Sequence, residues 1–143
     1  MVCLDGTGSI SHVSIRHRPQ IFNQPYTYSA ISVRGIQNDV RVIEGPVPKF
    51  KIFGAANTGN GLGHSTFGLP RFNSSTFTSR FPFGNIQLDD DSFDLNVNLT
   101  GWSPFIPTDE DSSSLPLAAL EYEFTNTTND LLSCVYSFNS INF

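Results

Sequence analysis

Phe93-Asp94-Leu95-Asn96-Val97-Asn98-Leu99-Thr100 alternates apolar and polar side chains without a miss over eight residues. A period of two marks a strand with one face buried and the other wet. The next segment repeats the pattern. Ala118, Leu120, Tyr122 and Phe124 share one face, and Ala119, Glu121, Glu123 and Thr125 share the other. Leu132, Cys134, Tyr136 and Phe138 then alternate with Ser133, Val135, Ser137 and Asn139. Between these last two segments lies Asn126-Thr127-Thr128-Asn129-Asp130. Its short polar side chains bond to nearby backbone and favour turns. The spacing predicts a long hairpin over residues 118–139.

Upstream the strand signals are shorter. Residues 26–33 are rich in aromatic and β-branched side chains, which suit a pleated surface. Gly35 and Gln37-Asn38-Asp39 close this run, and residues 40–44 read as its partner. Residues 76–81 and 85–88 flank Pro82-Phe83-Gly84, a second strand–turn–strand signal. Residues 10–15 make a plausible opening strand. No window shows the 3,4 spacing of an amphipathic helix with start and stop signals. Nine Pro and eleven Gly punctuate the chain instead. Short strands with regular turn signals predict an all-β antiparallel sandwich or barrel. Two loops stand out for length, residues 53–69 and 103–116, and loops of that size often carry function.

Composition narrows the function classes. The 143 residues carry 8 Lys+Arg against 13 Asp+Glu, for a formal net charge of −5. That is the size of one domain, and the acidic balance without a basic cluster gives no nucleic-acid footprint. Thirteen Phe in a chain only 15% charged argue for a packed core rather than disorder. Cys3 and Cys134 are too few for a disulfide framework or a four-ligand zinc site. They read as two half-buried thiols or as a single bridge. No apolar run approaches the roughly 18 residues of a membrane-spanning helix. The first residues lack the pattern of a signal peptide, so the compartment is not readable here.

The chemical motifs are thin. Gly59-Asn60-Gly61-Leu62-Gly63-His64 lacks the ending and the following helix of a phosphate loop, and reads as a flexible glycine loop. His12 and His17 are five apart, on opposite faces of a strand, and His64 stands alone. Glu121 and Glu123 lie opposite the apolar stripe and face solvent. Asp89-Asp90-Asp91 reads as a turn. Asp109-Glu110-Asp111 offers oxygen ligands for a cation, but lacks the glycine and closing Glu of a calcium loop; a solvated loop is the alternative. The sequons at Asn73, Asn98 and Asn126 are no more than chance supplies in a chain rich in Asn, Ser and Thr. Trp102, the only Trp, either stacks on a sugar ring or anchors its loop.

Thr100-Gly101-Trp102-Ser103-Pro104-Phe105-Ile106-Pro107-Thr108-Asp109-Glu110-Asp111-Ser112-Ser113-Ser114-Leu115-Pro116 runs directly into the strand that begins near Ala118. It resembles the N-terminal β-sandwich region of glycoside hydrolase family 116, the non-lysosomal glucosylceramidase and β-glucosidase family. Supporting segments are Gly6-Thr7-Gly8-Ser9-Ile10-Ser11-His12, Glu44-Gly45-Pro46-Val47-Pro48, Phe67-Gly68-Leu69-Pro70-Arg71-Phe72, Arg80-Phe81-Pro82-Phe83-Gly84 and the closing Ser137-Phe138-Asn139-Ser140-Ile141-Asn142-Phe143. Glu110 and Ser112 depart from the Ala and Asn usual there.

The resemblance implies that residues 1–143 form part of a large N-terminal sandwich. A helical (α/α)6-barrel catalytic domain would follow it and carry the paired carboxylates. Nothing in this sequence matches that barrel, so no catalytic residue is carried over and the chain alone is expected to be inactive. Met1 reads as an internal methionine and Phe143 as a strand end within the sandwich. The expected partner is the helical domain, with glucoside or glucosylceramide reached through it. No cofactor and no metal are implied. Trp102, Asp109 and Asp111 are the candidate substrate-binding or domain-interface residues. The alternative is a free-standing carbohydrate-binding or structural sandwich that uses Trp102 with nearby Tyr or Asp groups.

Overall fold

The computed structural model describes residues 2–13, 27–35, 37, 39–49 and 69–140, and the side chains of residues 11–13 lie outside that description. Among the described residues, nine strands and one short helix run in the order β1 (Val2–Leu4), β2 (Ile10–Val13), β3 (Thr27–Val33), β4 (Val40–Val42), β5 (Ser74–Arg80), β6 (Phe83–Asp89), β7 (Leu95–Trp102), α1 (Glu110–Ser113), β8 (Ala119–Asn126) and β9 (Cys134–Ser140). They form an all-β antiparallel sandwich. One sheet has the order β5-β6-β7-β8 and faces a second of order β4-β3-β9, while β1 and β2 pair as a separate hairpin.

The alternating stretch at residues 93–100 forms the centre of the larger sheet. Phe93, Leu95, Val97 and Leu99 are buried, and Asp94, Asn96, Asn98 and Thr100 between them are half-buried. Ile86 and Leu88 of β6, Ile31 and Val33 of β3, and Ile43 and Phe72 complete the core. Phe72 meets Phe93 edge-on at 5.6 Å, a geometry that sets a positive ring edge against a negative ring face. Burying each such side chain contributes about 1.5–3 kcal/mol.

The expected hairpins at residues 26–44 and 76–88 form, as β3–β4 and β5–β6. The expected hairpin over residues 118–139 does not. Instead β8 pairs with β7, and β9 crosses to the other sheet to pair with β3. The polar segment at 126–130 still turns the chain, because the Asn126 side chain accepts from the Thr128 amide (2.8 Å) and donates to the Asp130 carbonyl (2.7 Å). Thr127 N–H bonds to the Asp94 carbonyl beside β7, and Arg34 N–H to the Ser133 carbonyl beside β3, so the two ends of the turn are fixed to different sheets. The crossing sets the stripes of β8 and β9 face to face. Tyr122 and Tyr136 lie 5.6 Å apart, and Phe124 packs on Tyr136 at 5.8 Å.

β1 has three residues, too few for a period to show. Asp5 closes its turn by accepting from the Thr7 amide (2.8 Å), the Thr7 hydroxyl (2.7 Å) and the Ser9 amide (3.1 Å). Gly8 sits there at φ +83°, a region open to glycine at little cost. Cys3 is half-buried and Cys134 is an exposed thiol. His17, His64, the glycine loop at 59–64 and all of the 53–69 loop except Leu69 lie outside the described residues. Among the described residues no helix is long and apolar enough to cross a membrane.

Candidate functional site at the Trp102 end of the large sheet

Strand register brings two of the quoted segments together. Phe83 pairs with Trp102 and Gly84 with Gly101 across β6 and β7. The Phe83 and Trp102 rings stand 6.5 Å apart at 53°. Beyond them, Phe81 in the β5–β6 turn meets Phe105 edge-on at 4.8 Å. Gly84 and Gly101 lie on the inner face, Gly84 beneath the Phe77 ring and Gly101 beneath Leu4 of β1. A Cβ on Gly101 would stand 2.9 Å from a Leu4 methyl, so the Leu4 side chain packs where a larger residue would displace it. A cleft of about 240 Å³ remains there, lined by Leu4, Phe77, Gly101, Trp102 and Leu120 among others.

After Trp102 the chain enters the long loop. Ile106 carbonyl accepts from the Asp109 amide (3.1 Å) in a tight turn, with Pro107 and then Thr108 at φ 71°. Proline suits the first central position of such a turn, and the second requires positive φ. Asp109 is the N-cap of α1. Its carboxylate accepts from the Ser112 amide (2.9 Å) and the Ser112 hydroxyl (2.7 Å), and these bonds hold the carboxyl below the usual Asp range. Glu110 and Asp111 add negative charge to the first turn, which the helix N-terminus favours. Ser113 locks the loop by donating to the Ile106 carbonyl (3.0 Å) and accepting from the Ile106 amide (2.9 Å).

The three candidate residues therefore occupy different settings. Trp102 is half-buried against Phe83, Asp109 is committed to capping, and Asp111 is exposed. No Tyr is described beside Trp102; half-buried Tyr122 and the more exposed Tyr136 face each other from β8 and β9, where each shares a hydrogen bond with the Ser29 hydroxyl. Glu121 and Glu123 are exposed on the outer face, as the alternation predicts. No group of three or more His, Cys, Asp or Glu is placed to hold a metal ion among the described residues.

A buried ionic cluster was not legible in the sequence. Arg41 Nε donates to Asp90 at 2.9 Å, and both side chains are nearly buried. Asp90 also accepts from the Ser92 hydroxyl (2.6 Å), the Ser92 amide (2.9 Å) and Asn73 (2.9 Å). Burial pushes the Asp90 carboxyl up, but the bonds from Ser92 and Arg41 outweigh it and hold it below the usual range. The Arg41 guanidinium lies 4.9 Å over the Phe93 ring. Nearby, Arg71 donates to Glu44 at 3.3 Å. The one signal was a lone Arg inside the apolar run Val40-Arg41-Val42-Ile43. These groups join the two sheets.

Other quoted segments also converge. The Gly45 amide bonds to the Thr7 carbonyl (2.7 Å), and the Phe72 amide to the Glu44 carbonyl (3.0 Å). The family model described as beta-glucosidase 2, glycosyl-hydrolase family 116 N-term matches residues 1–142. The chain belongs to this family. A search of curated proteins finds no match. The family 116 segments thus build two places in the sandwich, the junction of residues 6–9 with 44–45 and 71–72, and the aromatic end around Trp102.

Proposed function

We propose that this chain is a non-catalytic part of the N-terminal sandwich of a β-glucosidase or glucosylceramidase-like enzyme, and that it packs on the helical catalytic domain and shapes the active-site rim. The observation that carries this reading is an apolar rim at the Trp102 end. Phe81 is 76% exposed, and Phe105, Ile106, Leu115 and Leu117 are each about half exposed. Soluble monomers rarely leave such residues contiguous without a partner. The loop that bears the last four is held in one shape by the Asp109 cap and the Ser113 lock, and Phe81 of the β5–β6 turn packs on it through Phe105. In this reading Trp102 anchors the loop on Phe83, Asp109 holds its shape, and Asp111 stands on its exposed side.

Two features support a larger sandwich. β8 and β9 are both edge strands among the described residues. Phe138, on the same face of its sheet as buried Ile31, is 52% exposed, as it would be where covering strands are still to come. The division of labour is tested by assaying the 143-residue chain on an aryl β-glucoside. The expected result is no turnover, since glycoside hydrolysis needs two carboxylates across the bond and Asp109 and Asp90 are engaged elsewhere. Turnover that copurifies with the chain would overturn the reading.

A further inference from the structure

The cleft beside Trp102 has a shape and a chemistry of its own. Gly84 and Gly101 pair across β6 and β7 and form its floor. Neither carries a side chain, and the space above them is bounded by Phe77 of β5, Leu4 of β1 and Leu120 of β8. Phe77 is half exposed, and Val2, also in the wall, is more than a third exposed. No charged side chain stands among the described lining residues, and Ser103 brings the one hydroxyl. Pro82 and Ala118 line the cleft too. They follow Phe81 and Leu117 in the chain, so the cleft runs directly into the exposed apolar rim.

We propose, on the reading that the rim seats the helical catalytic domain, that this cleft is a socket for one large apolar side chain of that domain, leucine or aromatic. Size selects the occupant. The cleft holds about 240 Å³. An apolar cavity of about 150 Å³ accepts a benzene ring, whereas pockets for whole organic ligands run to about 300–1,000 Å³. The space therefore fits a leucine or an aromatic ring with its stem, and is too small for a free ligand of ordinary size. Chemistry selects it as well. A charged or amide head group would lose its water here and meet no charged partner, whereas an apolar side chain gains by leaving water. Interfaces concentrate their binding energy in such anchors, seated in pockets and ringed by weaker contacts that exclude water. Phe81, Phe105 and Leu117 supply that ring.

The test is a calorimetric titration of the full chain with the helical domain. Ala118→Trp, at an exposed position in the lining, should block the socket and weaken binding about tenfold or more. Thr125→Trp adds the same bulk on the opposite face of the strand and should leave the affinity unchanged. If Ala118→Trp fails to fold, Val2→Trp on β1 decides. In the intact enzyme, photo-leucine in place of Leu4 should crosslink on irradiation to a leucine or aromatic residue of the helical domain. Binding by Ala118→Trp as tight as by the unaltered chain, equal weakening by Thr125→Trp, or a crosslink to a polar residue, to this chain alone or to nothing would each overturn the socket and leave the rim as the seat of the domain. Failure of the unaltered chain to bind would overturn both.

Discussion

Asp90 is the side chain on which the two sheets' polar contact depends. Four donor groups reach its carboxylate, one of them the guanidinium of Arg41. Removing one partner of a buried ion pair strands the other and costs about 3 kcal/mol. The pH profile of stability separates this site from a second one. The Asp90 carboxyl is held below its ordinary value, so its contribution is complete above about pH 3.9 and is lost as pH falls through the lower folded value. Burial pushes the Tyr122 phenol up to about 12, with the Ser29 hydrogen bond opposing part of that rise. Its contribution is complete below about pH 10 and is lost as pH rises towards the folded value. In denaturant titrations across pH, Asp90→Asn should flatten the acid limb and Tyr122→Phe the alkaline limb, each leaving the other limb unchanged. A variant that shifts both limbs equally would contradict these assignments. Neither group is visible to a reading of period and propensity, since a turn Asp and a strand Tyr carry no mark of what lies across the core.

At the scale of elements, periodicity identified most strands but not all of their partners. β7 was legible because Leu95, Val97 and Leu99 face one core with no interruption. β8 and β9 were legible as strands, yet their pairing was not. Period-2 alternation is satisfied equally by a hairpin, which sets two apolar stripes side by side, and by a crossing between sheets, which sets them face to face. The β7–β8 and β3–β9 ladders separate the two cases, with the bonds from Thr127 to Asp94 and from Arg34 to Ser133 at the ends of the turn, and all of them are long-range. The loop after Trp102 was legible as a loop, while the cap inside it was not singled out. Gly45 shows how closely elements meet. A Cβ there would stand 2.6 Å from Ser75 Cβ, a rigid atom close to the β5 backbone. Gly45→Ala should therefore destabilise by about 1–3 kcal/mol through overpacking. Adding Ser75→Gly should recover part of that loss, apart from the small cost of glycine in a strand. Thermal melts of the single and double variants check it, and a double variant no better than Gly45→Ala would refute the steric account.

At the scale of the molecule, the Phe-rich composition takes on a divided meaning. Among the described residues, Phe72 and Phe93 are buried, whereas Phe77, Phe81, Phe83, Phe105, Phe124 and Phe138 are at least a third exposed. Composition alone predicts one packed core; the distribution shows a core plus apolar surface at one end of the sandwich and along the open side of β8 and β9. The family 116 segments at residues 80–84 and 100–116 build much of the first of these surfaces. Sequence reasoning reached that end through the resemblance, since no spacing in those segments marks an interface. The reading that this rim seats the helical catalytic domain is tested most directly by hydrogen exchange on the chain, with and without that domain. Binding should be saturable, with protection gathered at residues 81–82 and 103–117, and its affinity should weaken about tenfold or more when Phe105→Ser and Leu117→Ser are combined. Absence of binding, or protection that leaves the 103–117 loop unchanged, would contradict it.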